Sequence, residues 1–301
     1  MTLGGSTVPR VVVVSRQTEY QALIARHGTR GQAEFFLSTR GRSIADLERA
    51  DRTFQGALAS VLGAIPTEWR RARVDRVDLD RFLFEPRDVV VAVGQDGLVA
   101  NTAKYLEGQF VVGVNPDPAA YEGVLVPHPP DASRALIARA ARREVDVEER
   151  TMVEAVLDDG QRLLALNEVF VGHASHQSAR YTLSFLGASE RQSSSGLIVT
   201  TGTGATGWGR SVSLSRSSLL AMPAPREPAL AFFVREAWPS VIYGASLTEG
   251  RLDGGAALDV NSEMNAGGVV FGDGIESDRL EFSWGRHLAV RVASERLHLV
   301  R

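Results

Sequence analysis

An acidic residue stands between glycines at the end of an apolar run, where Val89–Val93 is followed by Gly94, Gln95, Asp96 and Gly97. Open α/β sheets bind ligands at loops that leave the carboxyl ends of their strands, and the next helix directs N–H groups toward a bound phosphate. The glycines would let the backbone approach a phosphate closely. Asp96 only accepts hydrogen bonds when ionised, so it suits activation of a hydroxyl or binding of Mg²⁺ better than phosphate contact. A plain turn fits these residues equally well.

A polar pair, Asn167 and Glu168, interrupts an otherwise apolar strand pattern from Ala165 to Gly172. Neighbouring residues of a strand face opposite sides, so at least one of the two must point toward a buried or interfacial environment and needs a partner there. A ligand with hydroxyl or amide groups would be such a partner. Alternatively, one side chain faces water and the other bonds to nearby backbone.

A dense mixture of glycine and threonine ends a strand pattern between Ser193 and Trp208. Such a loop offers backbone N–H groups and hydroxyls at close range, which suits a polyhydroxylated, phosphorylated ligand. Trp208 could stack on a base or cover the core. A flexible connection is the alternative, but the loop contains no Pro, Asn or Asp.

The overall composition is that of a globular protein of about two domains: 301 residues, 44% of them hydrophobic and 23% charged. Lys plus Arg number 33 against 36 Asp plus Glu, for a net charge of -3. Because no global positive field attracts polyanions, we expect no nucleic-acid partner.

Several chemistries are excluded or disfavoured by single residue types. The chain has no cysteine, which excludes disulfides and thiol nucleophiles and suits a cytoplasmic protein. We expect no secretion signal and no membrane span, since no apolar run approaches ~20 residues. His173 and His176 lack a third ligand nearby in the sequence, so no metal ligands are predicted. Lys104 is the only lysine, so a cation that contacts phosphate must be Lys104 or an arginine.

The elements that must position these residues change along the chain. Apolar runs alternate with helical patterns in the first part, which predicts a parallel sheet in an α/β domain. A long helix is predicted from Ser43 to Ile65, with Ser43 and Asp46 as a capping box. The second part reads as strands joined by turns, with a hairpin at Asp159 and Gly160.

A proline-rich stretch from Asn115 to Pro130 marks the predicted crossing between the domains. We therefore expect an α/β domain over 1–126 and a strand-rich domain over 127–285. The alternating tail, about 286–301, is expected to return to one of the sheets and to pack against the first domain.

Taken together, in order and spacing, the motifs resemble those of the NAD kinase family. Residues 94–98 correspond to the family's Gly-Gly-Asp-Gly-Thr, 113–115 to its Gly-(Ile/Val)-Asn, 167–168 to its Asn-Glu pair and 195–208 to its Gly/Thr-rich segment. The match resembles most the branch typified by the mitochondrial NAD kinases of animals. Each motif alone is weak, but the separated set is specific.

The resemblance implies a Rossmann-like α/β domain and a strand-rich domain with the active site between them. It implies transfer of the terminal phosphoryl of ATP, or of polyphosphate, to the 2′-hydroxyl of the adenosine ribose of NAD, with Mg²⁺ accompanying the donor. A homodimer or homotetramer is expected. Asp96 would activate the hydroxyl, and the donor loop would be Gly94, Gln95, Gly97 and Leu98. The residues expected to contact the dinucleotide are Asn115, Asn167, Glu168, Ser195, Thr201, Thr203, Gly204, Thr206, Gly207, Trp208 and Ser211.

The chain departs from the family pattern at two donor-loop positions. Gln95 replaces a glycine, which adds strain if that position needs a positive φ, and Leu98 replaces a threonine and its hydroxyl. These departures leave open a non-catalytic protein that binds NAD(H) or NADP(H). A kinase acting on a lipid or sugar hydroxyl ranks lowest, because the second and third motifs match the dinucleotide side of the family.

Overall fold

The computed structural model describes residues 8–301. Residues 1–7, which the predicted first domain includes, lie outside the described residues. The chain forms two compact units. The first comprises 8–102, Gln109–Val147 and His298–Arg301, and the second comprises Ala103–Gly108 and Glu148–Leu297.

The first unit is built on a parallel sheet flanked by helices. Its elements are β1 (Arg10–Ser15), α1 (Glu19–His27), α2 (Arg30–Ser38), α3 (Ile44–Ala64), β2 (Arg70–Asp75), β3 (Val89–Val93), α4 (Asp96–Ala103), β4 (Phe110–Val114) and α5 (Ser133–Ala141). The strands lie in the order β2-β1-β3-β4 with all three pairings parallel. From β1 the chain moves outward to β2 and then returns to β3 on the other side, so the direction of winding reverses between β1 and β3.

The predicted long helix is confirmed and Ser43 caps it, but the predicted capping box with Asp46 does not form. Ser43 is its N-cap and accepts a hydrogen bond from the Ala45 N–H, but Asp46 pairs with Arg49 and no capping box forms. A capping box closes α1 instead, where Thr18 and Gln21 bond to each other's backbone N–H groups.

The core of the first unit explains where that unit ends. Side chains of α3 such as Leu58 and Val61 pack with valines of the sheet, and Leu136 and Ile137 of α5 belong to the same cluster. Because α5 is part of this core, the compact unit extends to Val147. The proline-rich stretch had suggested an earlier end, at residue 126.

The second unit is strand-rich, and its described residues include one complete α-helix and a short 3₁₀ helix, Gly204–Thr206. Its elements are β5 (Val147–Leu157), β6 (Arg162–Ala165), β7 (Glu168–His173), β8 (Ala179–Phe185), β9 (Ala188–Ser194), β10 (Leu197–Thr200), α6 (Trp208–Ser215), β11 (Ala229–Val234), β12 (Glu249–Asp253), β13 (Ala257–Ser262), β14 (Gly268–Gly272), β15 (Leu280–Glu281) and β16 (His287–Val300). One sheet has the order β12-β11-β10-β7-β14-β15, and β16, β13, β8 and β9 are consecutive in the other. Buried side chains of both sheets form one apolar cluster.

These elements confirm the predicted fold class, an α/β part followed by a strand-rich part. The hairpin predicted at Asp159 and Gly160 joins the antiparallel strands β5 and β6. The end of the tail returns to the first unit, since His298 and Leu299 of β16 pair with Phe110 and Val111 of β4. Over residues 8–301, no helix is long and apolar enough to cross a membrane.

Candidate functional site

Asp96 is the first residue of α4, and only Gly94 and Gln95 separate it from the end of β3. Its carboxylate accepts hydrogen bonds from the backbone N–H groups of Val124, at 3.1 Å, and Leu125, at 2.8 Å. A carboxylate has about four acceptor positions, so these two bonds fix its orientation and leave capacity for a further donor. Asp96 therefore has the fixed geometry that a base for a hydroxyl needs.

The segment that holds Asp96 is itself anchored at the end of β4. Gly113 lies against Leu125 so closely that an added Cβ would come 2.0 Å from the Leu125 carbonyl oxygen. The Asn115 amide donates to the Tyr121 carbonyl at 2.8 Å and accepts from the Asp117 N–H at 3.0 Å. Asn115 thus orders this loop with both ends of its amide, and its predicted contact with the dinucleotide remains a prediction.

The two departures from the family pattern are accommodated without strain. Gln95 is not among the non-glycine residues with positive φ in the described part of the chain, so the strain considered from sequence is absent. Its side-chain oxygen accepts a 2.8 Å hydrogen bond from Arg16. Leu98 is 2% exposed and covers Gly94, while a Cβ on Gly97 would meet nothing within 4 Å. Leu98 is therefore a core residue, and Gly97 borders open space.

A cavity of about 830 Å³ lies in the first unit, with Gly94 and Gln95 in its wall. Arg16 after β1, Arg73 in β2 and Arg76 after β2 also line it. These residues stand at or near the carboxyl ends of parallel strands, the edge at which α/β sheets bind ligands.

The Asn167-Glu168 pair is held by a residue that the motif analysis did not single out. The carboxylate of Asp273 accepts hydrogen bonds from the backbone N–H groups of Leu166, Asn167 and Glu168, at 2.8, 2.7 and 3.3 Å. Asp273 itself has a positive φ of 53° and lies between two glycines just after β14. A Gly-Asp-Gly at the end of an apolar run was the available sequence signal.

The Gly/Thr-rich segment wraps the same stretch of backbone. The Thr201 hydroxyl donates to the Leu166 carbonyl at 2.6 Å, and the Thr201 N–H donates to the Asn167 carbonyl at 2.9 Å. An added Cβ on Gly204 would lie 2.3 Å from the Asn167 oxygen. The structure therefore brings together Asn167, Glu168 and the segment around Thr201, and their contact with a dinucleotide stays a prediction.

Two carboxyl groups in this cluster have raised pKa values. Burial raises the pKa of Glu168 to about 8, and the nearby charge of Asp273 adds to the effect. Burial raises the pKa of Asp273 to about 6, opposed by its backbone hydrogen bonds and by Lys104. At neutral pH Glu168 is therefore mostly protonated and can donate a hydrogen bond.

Lys104 is committed to a partner within the second unit. Its ammonium lies 2.9 Å from the Asp278 carboxylate, and its side chain is 2% exposed. Burial opposes ionisation of Asp278, but hydrogen bonds from Lys104 and Tyr105 keep its pKa below the ordinary value. Of the two cation types that the sequence offered for phosphate contact, arginine is the available one.

A second cavity, of about 450 Å³, includes Ser195 and Trp208 in its wall. Trp208 stacks on Phe170 with ring centroids 5.9 Å apart, and the Arg235 guanidinium lies 5.3 Å from the Trp208 ring centroid. Both histidines without a sequence-derived role, His173 and His176, line the same cavity. An aromatic surface with a neighbouring cation suits a planar ring that carries negative charge nearby.

The other predicted dinucleotide residues divide by exposure. Thr201, Thr203 and Gly204 are buried, and Thr203 accepts a 3.3 Å hydrogen bond from Arg150. The exposed ones are Ser195, Thr206, Gly207 and Ser211. The first group shapes the loop, whereas only the second has surface to offer a ligand.

Within residues 8–301, no three His, Cys, Asp or Glu side chains form a cluster that could hold a metal ion. Mg²⁺ that is bound together with a nucleotide commonly takes only one or two protein carboxylates, with the phosphates as further ligands. A single carboxylate such as Asp96 therefore fits a cation that arrives with its substrate.

No protein-family model matches the chain. Over 256 residues it is 27% identical to the mitochondrial NAD kinase 2 of the rat, Rattus norvegicus, a match that covers 68% of this chain. The chain spans 60% of the length of that relative. Its fold aligns with the crystal structure of an NAD kinase from Archaeoglobus fulgidus in complex with ATP, over 97% of this chain and 93% of the other, with a TM-score of 0.57 and 16% identity.

The fold is therefore that of the NAD kinases, a parallel α/β unit and a strand-rich unit in one chain. The sequence match supports the same family, as did the separated motifs around Asp96, Asn167 and Trp208. The chain is thus similar to NAD kinases both in sequence and in fold.

Proposed function

We propose that the protein is an NAD kinase that transfers the terminal phosphoryl group of ATP or polyphosphate to the 2′-hydroxyl of the adenosine ribose of NAD. The observation that carries the proposal is the placement of Asp96, fixed by two backbone N–H groups at the start of α4. The family relationship supplies the substrates, because the sequence relative and the structural neighbour are both NAD kinases.

In the proposed reaction, Asp96 orients the 2′-hydroxyl and accepts its proton. The hydroxyl oxygen then attacks the terminal phosphorus of the donor and forms the new P–O bond, while the bond from that phosphorus to the bridging oxygen breaks and ADP, or the shortened polyphosphate, leaves. Phosphoryl transfer depends on positioning and charge stabilisation more than on covalent chemistry by the protein. Mg²⁺ bound to the donor would neutralise phosphate charge, and the donor loop, from Gly94 to Leu98, would contact the phosphates.

Residues of the second unit are proposed to bind the dinucleotide. Asn167 and Glu168 would contact its polar groups, with Glu168 as a protonated donor near neutral pH. Trp208, stacked on Phe170 and beside Arg235, offers a surface for a planar ring. The exposed residues Thr206 and Ser211 supply hydroxyls.

The test is formation of NADP by the purified protein with NAD, Mg²⁺ and either ATP or polyphosphate. Product with at least one donor is expected. Absence of product with every donor, in protein shown to be folded and to bind NAD, would contradict the proposal. NADH should be tested as acceptor in the same assay. A separate measurement of the molar mass in solution tests the predicted homodimer or homotetramer. Cytoplasmic location stays a prediction from the absence of cysteine.

A second candidate is a non-catalytic NAD(P)(H)-binding protein of the same fold. The departures at Gln95 and Leu98 favour it, because they fall in the donor loop only. Calorimetry separates the candidates: dinucleotide binding without donor binding and without turnover would favour the non-catalytic protein, and exchange of Gln95 for glycine and Leu98 for threonine would then improve activity.

A further inference from the structure

The sheet of the first unit reverses its winding between β1 and β3, and one hydrogen bond spans this position. Arg16 follows directly on β1, Gln95 follows closely on β3, and the Arg16 guanidinium donates to the Gln95 side-chain oxygen at 2.8 Å. The crevice outside the carboxyl ends of the strands at such a reversal is where open α/β sheets bind their ligands. Both residues line the cavity of about 830 Å³.

Three arginines in the wall of this cavity, Arg16, Arg73 and Arg76, form no ion pair within the described part of the chain. Among residues 8–301, the Arg16 side chain bonds only to the neutral Gln95, and Arg76 bonds to the neutral amide of Asn101 at 2.6 Å. For the Arg73 side chain, no hydrogen bond or ion pair is found among residues 8–301. None of these three arginines has a carboxylate within 4.0 Å in the described part of the chain, although most ion pairs among these residues involve an arginine.

Four acidic residues lie in the same wall, and three of them have hydrogen-bond or ion-pair partners other than these arginines. Glu19 pairs with Arg42 at 2.8 Å, Asp51 accepts from the Thr18 hydroxyl at 2.7 Å, and Asp75 accepts from the Val77 N–H at 3.1 Å. Asp117 is the fourth acid in the wall. Guanidinium groups that lack carboxylate partners match phosphate oxygens in geometry and charge, often with two parallel hydrogen bonds.

We infer that this cavity holds the phosphate chain of the phosphoryl donor, that Arg16 contacts it directly, and that Gln95 is the residue that positions Arg16. This inference rests on the proposed function, and it gives the departure at Gln95 a purpose. A glycine at position 95 could not hold the guanidinium, so Gln95 and Arg16 act as a pair.

The inference and the impaired-site alternative predict opposite results for one substitution. If Gln95 obstructs the donor, Gln95→Gly will improve donor binding. If Gln95 positions Arg16, Gln95→Gly will weaken it, because the arginine side chain gains rotational freedom that binding must then remove.

The experiment uses the full chain and measures binding of inorganic tripolyphosphate and of ATP, with Mg²⁺, by calorimetry. AMP serves as a third probe, because it carries the adenosine without the phosphate chain. We expect Arg16→Met to weaken tripolyphosphate and ATP about 10-fold or more, and Gln95→Gly and Gln95→Ala to weaken them about 3-fold. Arg16→Lys should recover part of the loss, since lysine restores the positive charge but not the planar set of N–H donors that can make two parallel hydrogen bonds.

The matched control is Arg49→Met, which removes an exposed arginine of α3 that lies outside the cavity wall. It should leave binding of all three probes unchanged. In turnover, the Arg16 and Gln95 variants should raise KM for the donor and leave KM for NAD unchanged, a split that general loss of structure would not produce.

Two results would overturn the inference: no binding of tripolyphosphate to the wild-type protein, or binding by Arg16→Met within twofold of wild type. Improved donor binding by Gln95→Gly would overturn the role of Gln95. Failure of the proposed function has a different signature, namely arginine-dependent tripolyphosphate binding without any NADP formed.

Discussion

The two groups of predicted site residues in this protein, around Asp96 and around Asn167, are built in different ways. Around Asp96, one carboxylate is fixed by two backbone N–H groups, and the neighbouring wall is an open cavity with arginines that lack acidic partners. Around Asn167, buried groups hold the backbone from both sides: Asp273 bonds to its N–H groups and Thr201 to its carbonyls. The first cluster offers arginine side chains without carboxylate partners, whereas in the second the backbone is held by hydrogen bonds from both sides. Substitutions in the first should therefore change kinetics and spare stability, and those in the second should change both.

The largest expected effect is that of Asp96→Asn. Loss of the proton acceptor should lower kcat by about 10²- to 10⁴-fold. NAD affinity should stay close to that of the wild type, because the dinucleotide residues are unchanged. Steady-state kinetics and calorimetry measure the two quantities, with the exposed Asp80→Asn as control. Retention of kcat within tenfold would remove Asp96 from the role of base.

Gly204→Ala tests the cluster around Asn167. Its Cβ would lie 2.3 Å from the Asn167 oxygen, so the backbone must shift, and a loss of about 2–4 kcal/mol in the free energy of unfolding is expected. NAD affinity should fall as well. Gly97→Ala is the corresponding substitution in the cluster around Asp96. Its free energy of unfolding, measured with denaturant, should stay unchanged, since nothing lies within 4 Å of the added Cβ. Equal stability of the two variants would contradict the contrast.

Asp273→Asn should cost about 1–3 kcal/mol of stability, because an amide offers one acceptor oxygen where the carboxylate offers two, and backbone N–H groups lose a partner. Asparagine tolerates the positive φ of this position. Kinetics should show a raised KM for NAD with an unchanged KM for the donor. A change confined to the donor KM would show that Asp273 does not act through Asn167 and Glu168. The exposed Asp253→Asn is the control.

The smallest expected effect is the pH dependence that Glu168 confers. The pKa of Glu168 is raised from 4.5 to about 8 in the folded state, because burial favours the neutral carboxyl. Relative to high pH, this stabilisation of the folded state is fully present below about pH 4.5 and is lost as the pH rises through about 8. The free energy of unfolding should therefore fall between pH 6 and 8.5, by on the order of 2 kcal/mol after allowance for partial solvent access. Glu168→Gln should remove most of this slope in denaturant titrations. An unchanged slope would mean that Glu168 ionises freely.

Local patterns in the sequence were sufficient for much of this architecture. The alternation of apolar runs and helical patterns predicted the α/β part, Asp159 and Gly160 predicted a hairpin, and Ser43 marked the start of the long helix. Each of these signals is local, because a periodicity, a turn or a cap is decided by residues close together in the chain.

What the sequence did not predict depends on pairs that are distant in the chain. Asp273 meets Asn167 across 106 residues, and Arg16 meets Gln95 across 79. Such pairs follow from which strand ends lie side by side, which no local pattern specifies. Gln95 was interpreted as a loss of glycine, since its partner was invisible without the sheet order.

The most direct test of the account follows the label from ATP that carries ³²P in its terminal phosphate, in a single turnover with NAD, Mg²⁺ and excess protein. The label is expected to appear in NADP. Asp96→Asn should slow the transfer, and Arg16→Met should slow it at subsaturating ATP. Label that remains in ATP, or appears only as inorganic phosphate, in protein that binds both NAD and ATP would contradict the account.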